Sequence, residues 1–146
     1  MARLVAIDYG KKRTGIAVTD TLQLIASPLA TVSTGELERF LADYIGKEDV
    51  EELVIGYPVT LNNKPSESVK YIDPFIRRLK KIFPDIPVRL YDERFTSKIA
   101  FRAIIDGGVG KKDRRDKGLV DRISASVILQ SYLERRAFEK EKENLK

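Results

Sequence analysis

The spacing of apolar positions changes along this chain, and each change marks a different element. Residues 3–9 carry the near-continuous run Leu4-Val5-Ala6-Ile7, stopped by Asp8, as expected of a central strand covered on both faces. Gly10-Lys11-Lys12-Arg13 reads as a polar turn, and Thr14-Gly15-Ile16-Ala17-Val18-Thr19 as the returning hairpin strand. A third extended stretch, about 23–32, contains Pro28, which cannot donate to a ladder and so predicts an edge or a bulge. Ser33 and Glu36 stand at capping-box spacing, and Leu37, Phe40, Leu41, Tyr44 and Ile45 then recur at helical period until Gly46. Residues 52–56 form a short strand closed by Tyr57-Pro58.

Over 66–83, Val69, Ile72, Phe75, Ile76, Leu79 and Phe83 predict helix. Either one long helix is kinked at Pro74, or Asp73 caps a shorter one with Pro74 at its first position. Residues 88–92 read as a strand, 96–106 as a short helix, 107–118 as a glycine-bounded loop and about 118–138 as a last helix. The Glu/Lys-rich tail 139–146 is expected to fray. Three strands followed by alternating units predict an α/β fold: a mixed sheet, with a three-stranded antiparallel meander plus parallel strands, and helices on both faces. This is the ribonuclease H-like order. No repeat or boundary divides the chain, so a single domain over residues 1–138 is expected.

Composition narrows the chemistry. The chain has 146 residues, 42% of them hydrophobic, enough to fill one core. It has no His and no Cys, which excludes Ser-His and Cys-His nucleophilic arrangements, the usual tetrahedral zinc sites and any disulfide framework. Hydrolytic chemistry would have to come from carboxylates, Lys, Tyr or hydroxyls, and carboxylates favour hard metals, Mg2+ or Mn2+. The opening apolar run is too short for a signal-peptide core or a membrane span, so a cytoplasmic protein with no membrane partner is expected. A net charge of +5 and a pI near 9.4 suit a polyanionic partner such as nucleic acid.

Three acids stand where the predicted topology could join them. Asp8 ends the first strand and Glu93 follows the strand ending at Asp92; if these strands are parallel, both carboxylates leave the carboxyl edge, where open α/β sheets place their sites. Asp121 lies in the first turn of the last helix and could reach that edge from one face. Three converging carboxylates would repel one another unless a cation sat between them, and bound metals could activate a water on a phosphodiester. Each acid also has a structural reading: Asp8 as a turn carboxylate, Glu93 as the partner of Arg94, Asp121 as an acid favoured by a helix N-terminus.

The residues around these acids carry a resemblance. Asp8-Tyr9-Gly10 with Gly15, Gly56-Tyr57-Pro58, Asp92-Glu93-Arg94-Phe95-Thr96-Ser97, and Asp121 opening Ile123-Ser124-Ala125-Ser126-Val127-Ile128 follow one another as in the YqgF family. The chain resembles that family, whose members are described as pre-16S rRNA nucleases and Holliday-junction-resolvase-like proteins, from about residue 3 to 135. The resemblance implies a ribonuclease H-like fold, maturation of the 5′ end of small-subunit ribosomal RNA, and Asp8, Glu93 and Asp121 as catalytic and metal-binding residues. Related junction resolvases carry a further acid one turn along the final helix; Ser124 occupies that place here, which weakens the resolvase reading more than the nuclease one.

Around this edge, Lys11, Lys12 and Arg13 in the first hairpin, Arg94, and Lys111, Lys112, Arg114, Arg115 and Lys117 in the 107–118 loop form an expected phosphate-gripping rim. Tyr57 and Phe95, at strand ends, could stack on unpaired bases or pack in the core. The expected partner is RNA, a ribosomal precursor either naked or within ribosomal particles, bound by a monomer or a homodimer. Competing readings are a DNA junction nuclease, which would have to be dimeric to cut two strands symmetrically, a nucleotide-binding module, and a catalytically silent binding protein.

Overall fold

The computed structural model describes residues 2–58, 69–93 and 117–144. Five strands form one sheet: β1 (Arg3–Asp8), β2 (Arg13–Thr19), β3 (Ala26–Ser33), β4 (Val50–Tyr57) and β5 (Val88–Asp92). Their order across the sheet is β3-β2-β1-β4-β5. β1 pairs antiparallel with β2, and β2 with β3, whereas β4 runs parallel to β1 and β5 parallel to β4. The meander-plus-parallel sheet expected from the pattern is therefore the one observed. Helix α1 (Leu37–Lys47) connects β3 to β4, α2 (Val69–Ile82) lies between β4 and β5, and α3 (Lys117–Asn144) completes the described chain.

Period-two alternation assigns each strand residue to a face. Val5, Ile7, Ile16, Val18, Leu53 and Ile55 meet Leu37 and Leu41 of α1 and Ile72, Phe75, Ile76 and Leu79 of α2. Leu4, Ala6, Ala17 and Val54 turn the other way, toward Ala125, Ile128, Leu129 and Leu133 of α3. β1 is central and covered twice, which is why its run from Leu4 to Ile7 is fully buried and carries no polar alternation.

Several local expectations shift. Pro28 is accommodated by both proposed devices, since β3 is an edge strand and its register against β2 slips between Ile16 and Ala17. β3 begins at Ala26, because residues before it form a turn in which the Asp20 carboxylate accepts from the backbone N–H groups of Leu22, Leu24 and Ile25. The Ser33–Glu36 capping box does not form: Ser33 makes no side-chain cap, and a 3-10 turn over Thr34–Glu36 leads into α1. Thr34 instead donates from its hydroxyl to the Gly10 carbonyl at 2.6 Å, and its N–H to the Lys12 carbonyl at 3.0 Å, tying the start of this segment to the β1–β2 turn. Of the two readings around Pro74, one helix runs through it; Asp73 is no cap but accepts the Tyr57 hydroxyl proton at 2.9 Å. α3 continues to Asn144, past the boundary expected near 138, along a segment where charges of both signs alternate and Arg135 reaches Glu139 four residues on.

The face under α3 is lined by small residues, and at Gly15 the requirement is strict. A Cβ there would collide with the backbone carbonyl of Asp121, in the first turns of α3. Backbone cannot rotate aside as a side-chain tip can, so Gly15→Ala should lower stability by about 1–3 kcal/mol, as overpacking typically does. Gly46→Ala is the control: it lies within α1 with nothing inside 4 Å of an added Cβ, and should raise stability by about 0.5–1 kcal/mol. Urea unfolding midpoints of the two variants, moving in opposite directions from the parent, check both.

Candidate active site

Asp8 is the last residue of β1 and shares the face of Leu4 and Ala6, so its side chain turns to the α3 side opposite Gly15. β4 and β5 run parallel to β1 and end at Tyr57 and Asp92 on the same carboxyl edge. Glu93 follows immediately. Its carboxylate lies over Gly56, where an added Cβ would stand 3.0 Å from Glu93 Oε1 and 2.7 Å from the Ile128 Cδ1 of α3. Gly56 thus leaves the space that Glu93 and α3 share. Asp121 arrives from the opposite wall, on the turn of α3 whose backbone rests against Gly15.

Asp8 feels the other two carboxylates. The Asp8 carboxyl is pushed up from 3.8 to about 7, first by burial, then by the charge of Glu93, then by that of Asp121. Burial, and secondarily Asp92, also raises Glu93. Among the described residues no hydrogen-bond donor reaches the Asp8 carboxylate. Asp121 is compensated differently: Arg13 Nε lies 2.5 Å from its Oδ2, across 108 positions of sequence.

Among the described residues, no three acids are drawn together tightly enough to form a ready metal cage, and Asp121 faces Arg13. The donor set nevertheless fits a hard divalent cation. Its atoms are carboxylate oxygens, and its central member, Asp8, is a desolvated carboxyl with no counter-charge among the described residues, the group a cation would relieve. Asp8 and Glu93 would hold the ion, and Asp121 could join them by leaving Arg13.

The rim divides. Lys11 and Lys12 are exposed as expected, with Lys11 Nζ 5.1 Å from the centre of the Tyr71 ring. Arg13, expected on the phosphate-gripping rim, pairs with Asp121 in this structure. Arg94, Phe95, Lys111, Lys112, Arg114 and Arg115 lie outside the described residues, and of Lys117 only the backbone, as the first residue of α3, is described. Tyr57 packs against the α1/α2 core and donates to Asp73, so in this structure it serves packing, not an open stacking surface. Sequence reasoning missed the Arg13–Asp121 pair and the Lys11–Tyr71 contact, for which no local signal exists.

A family model described as RuvX, Holliday junction resolvase, matches residues 2–135. Relatives bearing the provisional name pre-16S rRNA nuclease include one from Bacteroides thetaiotaomicron, 58% identical over 138 residues, covering 94% of this chain and all of that protein. Another, from Parabacteroides distasonis, is 54% identical over 139 residues, covering 95% of this chain and 99% of the relative. Among solved structures, T. thermophilus RuvC in complex with a Holliday junction substrate superposes with a TM-score of 0.60 at 14% identity, over 92% of this chain and 96% of that one. The fold is ribonuclease H-like, as the element order implied. Among the described residues no helix is long and apolar enough to cross a membrane.

The Asp8 shift has a sign that can be measured in chelator. The folded protein keeps this proton up to about pH 7, while the unfolded chain releases it near 3.8. Between those values the folded state binds more protons, so stability should fall as pH rises through the interval. Asp8→Asn should abolish that slope and, at about pH 8 in chelator, be as stable as the parent or more so by about 1 kcal/mol. With manganese the order should reverse, since the parent gains binding free energy that the variant largely loses. Thermal melts in chelator and in manganese test this; equal destabilisation of the variant in both would mark Asp8 as a structural hydrogen-bonding group.

Proposed function

The chain belongs to the RuvX family, and from that premise we propose that it is a metal-dependent nuclease hydrolysing RNA phosphodiesters in 5′-end maturation of pre-16S ribosomal RNA, with Asp8, Glu93 and Asp121 as its catalytic acids. The observation that supports this reading is a buried Asp8 carboxyl at the carboxyl edge that feels the charges of Glu93 and Asp121 and has no counter-charge among the described residues. Mg2+ or Mn2+ is the proposed cofactor, the cytoplasm the proposed location, and residues 1–138 the proposed catalytic domain. The substrate is a ribosomal precursor, naked or within a particle.

When bound, the cation would supply Lewis-acid charge to the phosphate and a nucleophilic water at neutral pH. The chain's own residues prepare the place. Asp8 presents its carboxylate from the end of a fully buried strand and Glu93 from just beyond another, so neither needs much rearrangement to act. Ile128 Cδ1 and the Glu93 carboxylate share the space above Gly56. Arg13, once parted from Asp121, is a guanidinium at the site with a planar fork suited to phosphate oxygens.

The second reading, cleavage of four-way DNA junctions, draws on the family's description and on the shared fold. Incubation with single-stranded RNA, duplex RNA and a four-way DNA junction, each with manganese and with chelator, separates the two. The expected result is metal-dependent RNA cleavage abolished by chelator; preferential junction cutting would replace the RNA reading, and undiminished cleavage in chelator would sink the metal mechanism.

Arg13 gives a second test. Because it competes for Asp121, Arg13→Gln should tighten manganese binding, by up to about fivefold given what an exposed ion pair is worth. RNA cleavage should meanwhile slow for want of the guanidinium. Titration calorimetry and single-turnover rates, moving in opposite directions, are the signature; weaker metal binding in the variant would show that Asp121 is no ligand.

A further inference from the structure

We propose that Tyr71, with Lys11, forms a stacking ledge for an unpaired nucleobase of the substrate, placed across the carboxyl edge of the sheet from the three acids. The inference rests on the nuclease reading above and adds a substrate class to it: RNA that is single-stranded next to the scissile phosphate.

Tyr71 lies in the first turn of α2 and is 47% exposed, while Ile72, Phe75, Ile76 and Leu79 fill the core. Its ring is not needed for packing, yet its position is well defined. Phe75, one helical turn on, stacks on Tyr9 with ring centres 4.7 Å apart and planes at 26°. Tyr9 directly follows Asp8. The Tyr57–Asp73 hydrogen bond at 2.9 Å ties the same end of α2 to the end of β4. Two contacts from two strand ends therefore hold the start of α2 against the carboxyl edge.

Lys11 completes the ledge. Its Nζ sits 5.1 Å from the Tyr71 ring centre, and its Cα can be no more than about 11 Å from that of Asp8, three residues away. Lys12 and Lys70 are exposed nearby in sequence, so the ledge is cationic as well as aromatic. An exposed cation–π contact is weak, and a phosphate is the better partner for an ammonium group. A nucleic-acid backbone drawn toward the acid site would take Lys11 off the ring and leave the tyrosine face to a base. Stacking of this kind tolerates any base but requires that it be unpaired, which a duplex does not offer.

The test is equilibrium binding in chelator, which removes cleavage from the measurement. Tyr71→Leu should bind a fluorescein-labelled single-stranded RNA about tenfold more weakly than the parent, with duplex RNA affinity unchanged, and Tyr71→Phe should bind both like the parent. Because the chain contains no Trp, Tyr71→Trp introduces a single indole, whose fluorescence should be quenched by single-stranded RNA and not by duplex. Unchanged single-strand affinity in Tyr71→Leu, an equal loss on both RNAs, or an unquenched indole in a protein that binds single strands would each overturn the ledge alone. A parent protein that binds no RNA would overturn the nuclease reading, and the ledge with it.

Discussion

Helix α3 can rest on the sheet beside Asp8 only where the strand opposite has no side chain. β2 places Gly15 directly across from Asp8, and the first turns of α3 lie against it so closely that a single methyl group would strike the Asp121 carbonyl. The same surface continues over Ala17 and Ala6 to Gly56, above which Glu93 and Ile128 meet. This shallow face lets a long helix bring one carboxylate toward two others that leave the ends of parallel strands. Larger residues at these positions would lift the helix and open the cluster to water, and its electrostatic character would go with it.

Bringing like charges together in a poorly solvated place has a cost, and the fold meets it unevenly. Asp121 is given Arg13. Asp8 is given nothing among the described residues, and its carboxyl accordingly rises to about 7. A site built solely for stability would have compensated both. The strain left at Asp8 is a free energy that a cation could recover on binding, and the Arg13 pair lets the metal-free protein carry one charge fewer in that cluster.

The sheet also separates two sets of side chains. Side chains of even number in β1 face α3 and lead to the acids; those of odd number face α1 and α2 and lead, through Tyr9 and Phe75, to the exposed Tyr71. The β1–β2 turn is the narrow ground between them. Thr34 anchors it through Gly10 and Lys12, and the buried Thr14 hydroxyl lies 3.0 Å from the Thr34 hydroxyl. Lys11 and Arg13 leave this one turn toward opposite faces, the first over Tyr71 and the second onto Asp121. Such a turn suits a chain that must hold a polyanion while chemistry takes place on one side of it.

Strand and helix identities, the parallel course of β1, β4 and β5, and the arrival of Asp8 and Glu93 at one edge were legible in the residue pattern, because alternation and helical period are local properties that burial enforces along the chain. The absence of His and Cys likewise excluded any hydrolytic site built on an imidazole or a thiol. The failed Ser33–Glu36 cap shows where a local rule gave way to tertiary contacts, since Thr34 is tied to the β1–β2 turn instead. Which cation neutralises Asp121, why position 15 must be glycine, and that Tyr71 stands beside Lys11 were decided only in three dimensions. Each is a contact between segments tens of residues apart, and a pairwise distance of that kind leaves no periodic trace in the sequence of either partner.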